Sequence, residues 1–291
     1  MRALRYIALA ALAALLCWPL IAQNSGDYFF IQIADTQFGA YTGDKDFSQE
    51  TLNYEFAVGN INRLKPAFVV ICGDLINKTG DDAQTAEYHR ITKKIDSAIP
   101  VYALPGNHDV GNDPTPESLA YYRAQYGRDY YSFRQRDLYG IVLNASMISA
   151  PGKVQDEANK QEAWLKAELA TAKASGARHI VVFQHQSWFL ENPNEADQYF
   201  NIPKAARALY LDLLKNAGVR YVFAGHYHRN AFGRDGDLEM ITTGPISRPL
   251  GSDPNGIRIV TVKPDRLEHQ YFTLGNIPNT FPPPPARGRQ N

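Results

Sequence analysis

The chain is predicted to adopt an α/β fold, with mixed β-sheets flanked by helices and a site past the carboxyl ends of the strands. Three observations carry this expectation. Short apolar runs rich in β-branched and aromatic residues alternate with longer stretches of helical periodicity. From residue 238 onward the helical pattern stops and consecutive strand-like runs follow, so the sheets are mixed and not purely parallel. Five of the strand-like runs end directly in residues able to bind metal.

In chain order, Arg2 and Arg5 precede an apolar run over 6–22 and a polar stretch from Gln23 to Asp27. This layout predicts a signal peptide over 1–22 and export to a periplasmic or extracellular space. Leu20 is bulky where a cleavage site prefers a small residue, which leaves a signal anchor as the alternative; Leu16 before Cys17 argues against lipidation. Loss of Cys17 with the signal leaves Cys72 alone, so no internal disulfide can form.

The predicted domain covers 23–275. Strands are expected at 28–34, 68–72, 101–104, 139–144, 180–184 and 221–224, where short apolar runs are bounded by turn residues. Helices are expected at 47–64, 83–97, 117–126, 155–174 and 203–217, and three further strands at 238–243, 257–262 and 267–273. Residues 276–291 contain Pro282 to Pro285 and little to bury, so a disordered tail is expected there. Thirty basic and thirty acidic side chains balance to a formal net charge of +0. No nucleic-acid surface and no stable membrane span after signal removal are therefore expected, and the protein is taken as a monomer.

The strand ends carry the chemistry. The first is followed by Asp35-Thr36-Gln37, the second by Gly73-Asp74-Leu75-Ile76-Asn77, and the third by Pro105-Gly106-Asn107-His108-Asp109. The strand at 180–184 leads into His185, and that at 221–224 into Gly225-His226-Tyr227-His228. Sites in open α/β sheets form where segments emerge past neighbouring strand ends, so these tips can converge although far apart in sequence. Each has a plainer reading: Asp35 can cap a turn, Gly73-Asp74 and Gly106-Asn107 suit tight turns, and a single histidine such as His185 is commonly packed in a core. Gly-Asn-His-Asp directly after an apolar strand is more specific than a turn requires, and His226 and His228 at i, i+2 lie on one side of an extended segment. His89, His179 and His269 have no such company and are read as structural.

In order, these blocks resemble the signature of the calcineurin-like metallophosphoesterases. The stretches 35–39, 72–76, 106–109, 183–185 and 225–230 resemble the narrower branch of calcineurin-like phosphoesterase-domain-containing phosphatases described as serine/threonine protein phosphatases. The resemblance implies a layered sandwich and hydrolysis of phosphate esters by hydroxide bound to two divalent ions, Mn, Fe or Zn. It implies that Asp74 bridges the ions, that Asp35, Gln37 and His228 complete one site, and that Asn107, His185 and His226 complete the other. It implies further that His108 protonates the leaving oxygen, with Asp109 orienting its ring. The broad family has histidine at position 37; the glutamine here is a weaker donor and implies a less tightly held ion. The arginine that follows the second motif in large protein phosphatases is absent, and Arg229 is the candidate replacement for binding phosphate.

Within this resemblance a phosphomonoesterase leads, with phosphoserine or phosphothreonine as the substrate that the narrower branch implies. A phosphodiesterase acting on nucleotides or phospholipid head groups is the first alternative, and a catalytically silent metal-binding module the second. Retention of His108 speaks for an enzyme, since a scaffold needs no general acid. Phe38, Tyr41, Trp188, Phe189 and Tyr227 flank the motifs and can either stack on a substrate ring or pack, with packing the favoured reading.

Overall fold

Tyr28–Ile33 forms the first strand, β1, and all six of its residues are buried because the strand is covered on both faces. The computed structural model describes residues 26–282. The predicted signal peptide and the end of the predicted tail lie outside this range. After β1 come α1 (Ser48–Leu64), β2 (Val69–Cys72), α2 (Asp82–Thr92), β3 (Val101–Leu104), α3 (Asn107–Val110) and α4 (Pro116–Tyr126). The second half contains β4 (Tyr131–Gln135), β5 (Leu138–Val142), α5 (Ala145–Ser149), α6 (Gln155–Ala174), β6 (His179–Phe183), α7 (Lys204–Asn216) and β7 (Tyr221–Ala224). It closes with β8 (Ala231–Asp235), β9 (Leu238–Thr242), β10 (Gly256–Val262) and β11 (Leu267–Thr273).

The strands form two mixed sheets, one of order β11-β10-β1-β2-β3 and one of order β4-β5-β6-β7-β9-β8. In the first, β1, β2 and β3 are parallel while β10 and β11 run antiparallel. In the second, β5, β6, β7 and β9 are parallel, with β4 and β8 antiparallel at the edges. Alternate residues of β1 divide between two cores, as a period of two requires. Tyr28 and Phe30 face the second sheet, where Phe30 stacks on Phe68 at 4.6 Å and meets Phe183 and Phe223 edge-on at 5.8 and 5.7 Å. Phe29, Ile31 and Ile33 face α1, α2 and α4. The outer face of the second sheet packs on α6 and α7 through Leu165, Leu169, Leu211 and Leu214. The result is a four-layer helix, sheet, sheet, helix sandwich.

Two features differ from expectation. Edge strands β4 and β8 went unpredicted because Tyr-Ser-Phe-Arg-Gln and Ala-Phe-Gly-Arg-Asp carry charges and glycine where a core strand would be apolar. Each enters the sheet through a two-residue hairpin, closed by Arg136-Asp137 and Gly236-Asp237, with Arg136 and Gly236 at φ 53° and 62°. The folded chain also runs past residue 275. Phe281 packs edge-on against Phe29 at 4.9 Å, and Arg63 donates to the Pro278 carbonyl at 3.0 Å. Among the described residues, no helix is long and apolar enough to cross a membrane.

Candidate metal centre

The parallel strands of the two sheets run out toward the same place. Asp35, Asp74 and Asn107 follow β1, β2 and β3, while His185, His226 and His228 follow β6 and β7. Backbone bonds tie these tips together: Asp35 N–H donates to Gly73 O at 3.0 Å, Gln37 N–H to Asp74 O at 2.8 Å, and Gly225 N–H to His185 O at 3.0 Å. The sheets are bridged where His226 N–H donates to the Asp35 carboxylate at 3.2 Å and Gln32 Nε2 to Ala224 O at 3.0 Å. Asp35, Gln37, Asp74, His226 and His228 all adopt positive φ, which non-glycine residues seldom do. Such backbone strain concentrates at functional sites, where the surrounding structure enforces it. A Cβ on Gly106 would lie 2.1 Å from Asp74 Oδ1, so only glycine lets the third tip approach the second.

The side chains meet in two clusters that share Asp74. Asp74, His185 and His226 form one, and Asp35, Asp74 and His228 the other, with ligand atoms in each within 4.8 Å of one another and all five residues buried. Backbone carbonyls fix which imidazole nitrogen faces inward. His185 Nδ1 donates to Cys72 O at 2.8 Å, His226 Nε2 to Tyr199 O at 2.9 Å, and His228 Nδ1 to Arg248 O. The opposite nitrogens therefore face the cluster, and each offers it a lone pair when its ring is neutral. His185 Nε2 lies 3.1 Å from both Asp74 Oδ2 and Asn107 Oδ1, and His228 Nε2 lies 3.3 Å from Asp35 Oδ1. Acceptors crowded at such distances repel unless a proton or a cation lies among them.

The charges point the same way. Burial opposes ionisation of Asp74, but His185 and His108 overcome it and hold its carboxyl well below the usual carboxylate range. His185 is disfavoured by burial yet drawn up to about 9 by Asp74, while His226 is pushed down to about 4 by burial and by His185. A divalent ion takes over the role of the imidazole proton and favours the neutral ring. Gln37 supplies a further sign. Asn77 Nδ2 donates to Asp44, turning Asn77 Oδ1 toward Gln37 Nε2 at 3.0 Å, and Gln37 Oε1 is left buried without a hydrogen-bond partner among the described residues. Buried carboxylates, an orphaned amide oxygen and inward imidazole lone pairs fit divalent ions of the transition series.

His108 is half-buried beside the clusters. Its backbone N–H donates to Asp74 Oδ1 at 2.8 Å, and its Nδ1 pairs with the Asn77 carbonyl at 2.6 Å. Asp109 does not orient this ring, contrary to the expectation above. Its carboxylate accepts from the backbone N–H groups of Gly106, Leu75 and Ile76 at 2.7, 2.9 and 3.2 Å, clamping the Asp74 loop to the Asn107 turn. Arg229 engages Leu250 O at 2.8 Å and lies over the Tyr227 ring at 5.1 Å. Phe38, Trp188 and Phe189 are fully buried and pack. Sequence reasoning missed Tyr199, Asn112 and Arg248, which touch site residues through a carbonyl or an amide side chain, and gave no separate role to Asn77, whose carbonyl holds His108. His179, read as structural, bonds to Lys263 O at 2.7 Å away from the clusters.

A family model described as calcineurin-like phosphoesterase matches residues 30–230. The chain is 39% identical over 267 residues to serine/threonine-protein phosphatase CPPED1 of Bos taurus, covering 87% of this chain and 85% of that one. It is likewise 39% identical over 268 residues to the Homo sapiens protein of that name, with the same coverage. Among solved structures, a dimetal phosphatase from Danio rerio shares the fold with a TM-score of 0.62 at 15% identity, covering 85% of this chain and 96% of that one.

The Asp109 clamp is testable by Asp109→Asn. The amide can accept only at one oxygen and turns an N–H toward backbone donors, so denaturant unfolding should show a loss of about 2–3 kcal/mol. Unchanged stability would remove the clamp.

Proposed function

Because the chain belongs to the calcineurin-like phosphoesterase family, we propose that this metal-dependent phosphoesterase is a phosphomonoesterase acting on phosphoserine or phosphothreonine in proteins, with the two clusters around Asp74 as its metal centre. One observation carries the site assignment: inward lone pairs on buried histidines crowd two buried carboxylates. The choice of substrate is supported by the relatives named serine/threonine-protein phosphatases.

In this reading Asp35, Gln37, Asp74 and His228 would hold one ion, and Asp74, Asn107, His185 and His226 the other. Bound divalent ions lower the pKa of a water and neutralise charge on the phosphoryl oxygens. The protein's own residues do the rest. Carbonyls of Cys72, Tyr199 and Arg248 hold the imidazoles in the neutral tautomers that bind cations. His108 keeps its Nδ1 proton on the Asn77 carbonyl, so that Nε2 is the ring atom from which a second proton can pass to the departing alkoxide. Export is proposed on the sequence alone, from the arginines and apolar run that precede residue 23.

With added Mn, wild-type protein should hydrolyse a phosphoserine peptide and an aryl phosphate monoester faster than an aryl phosphate diester. His108→Ala should lower kcat for the alkyl ester by about 10²–10³-fold. A diester preference would sink the monoesterase reading, and equal turnover in both proteins would sink the role of His108. Staged chelation should strip one ion first, and Gln37→His should slow that loss; equal release of both ions argues against a weak Gln37 ligand. Mass measurement on protein recovered from outside the cytoplasm should place the N-terminus near Gln23, whereas an intact Met1 there would contradict signal cleavage.

A further inference from the structure

Tyr199 is 57% exposed on the long connection between β6 and α7, yet it contacts two of the candidate ligands. Its hydroxyl accepts from Asn107 Nδ2 at 3.2 Å and donates to Asn112 Oδ1 at 3.3 Å. Its carbonyl accepts from His226 Nε2 at 2.9 Å, and its ring centre lies 4.9 Å from that of His226. Asn107 Nδ2 also donates to Asn112 Oδ1 at 3.0 Å. Both N–H groups of the Asn107 amide are thereby satisfied on the outer side, and Oδ1 is turned toward His185 Nε2.

An asparagine amide is nearly symmetric in shape but opposite in polarity at its two ends. Turned over, Asn107 would point hydrogens at the place where the cluster needs an oxygen. His226 faces a parallel choice between its two ring nitrogens, and the Tyr199 carbonyl settles it. We infer that Tyr199 is a positioning residue for the ion held by Asp74, Asn107, His185 and His226, its hydroxyl fixing the amide and its carbonyl fixing the imidazole. The inference rests on the two-ion reading above.

The arrangement couples the ion to the loop. A cation on His226 Nδ1 draws electron density through the ring and makes Nε2–H a stronger donor to Tyr199 O. Loading of this ion should therefore tie down residues 191–200, most of which are exposed. By linkage, whatever displaces the loop weakens the ion by the same factor.

The test uses the full chain, stripped with chelator and titrated with Mn by calorimetry. Wild type should bind two ions. Tyr199→Phe keeps the ring and the carbonyl but loses the hydroxyl, and should weaken one ion by about tenfold while leaving the other unchanged. Asn112→Leu removes the second partner of the amide, and the double variant should weaken the same ion further. Thermal midpoints of the stripped proteins show whether folding is intact. In wild type, amide exchange over 191–200 should slow on loading. Unchanged affinity in both single variants and the double overturns the proposal, as does weakening of both ions together with a lowered thermal midpoint. A wild type that binds no pair of ions overturns the metal-centre reading itself.

Discussion

Burial of the Asp74 carboxylate, 1% exposed, is the constraint on which the rest of the centre depends. An isolated carboxylate removed from water costs several kcal/mol even after relaxation, and Asp35 lies buried beside the same histidines. Positive charge must reach both. Two arrangements can supply it, a protonated His185 or cations between the acceptors, and the divalent-metal chemistry of the phosphoesterase family corresponds to the second. Each ring has a neutral carbonyl outside and an acceptor-rich cluster inside, which suits a neutral ring bound to a cation.

The fold bears the strain this demands. Positive φ at five site residues lowers local stability, and such conformations persist only where neighbours over-determine them. Those neighbours are the parallel strands that end beside one another, the Gly73 and His185 carbonyls that receive the N–H groups of adjacent tips, and the Asp109 carboxylate that gathers three backbone N–H groups. Phe30, Phe68, Phe183 and Phe223 fill the space between the sheets behind the tips. Close packing of that layer lets the sheets act as one rigid frame for residues drawn from both.

The parts that were legible in the sequence share a property: their residue type is itself the signal. Buried strands β1, β2, β6 and β7 are apolar runs, and the ligand tips are Asp, Asn and His at abrupt strand ends. Edge strands β4 and β8 hide because an exposed edge tolerates charge. Asp109 took its expected role from the family resemblance, whereas the short α3 turn aims its carboxylate at the backbone of the Asp74 loop. Tyr199 and Arg248 could not be found at all from composition or spacing. They hold His226 and His228 through main-chain oxygens that every residue possesses.

That second layer of neutral carbonyls bears on what the centre can bind. Carboxylates behind the histidines would make them more basic but would add negative charge close to the substrate. In the proposed two-ion site, with carbonyls behind His185, His226 and His228 and with amides at Gln37 and Asn107, the ligand set would carry negative charge only on Asp35 and Asp74. Two divalent ions then leave an excess of about two positive charges before water binds. A phosphate monoester, close to a dianion at neutral pH, can use that excess more fully than a singly charged diester. The same neutrality that makes the outer layer invisible in sequence therefore favours the more highly charged ester in the site.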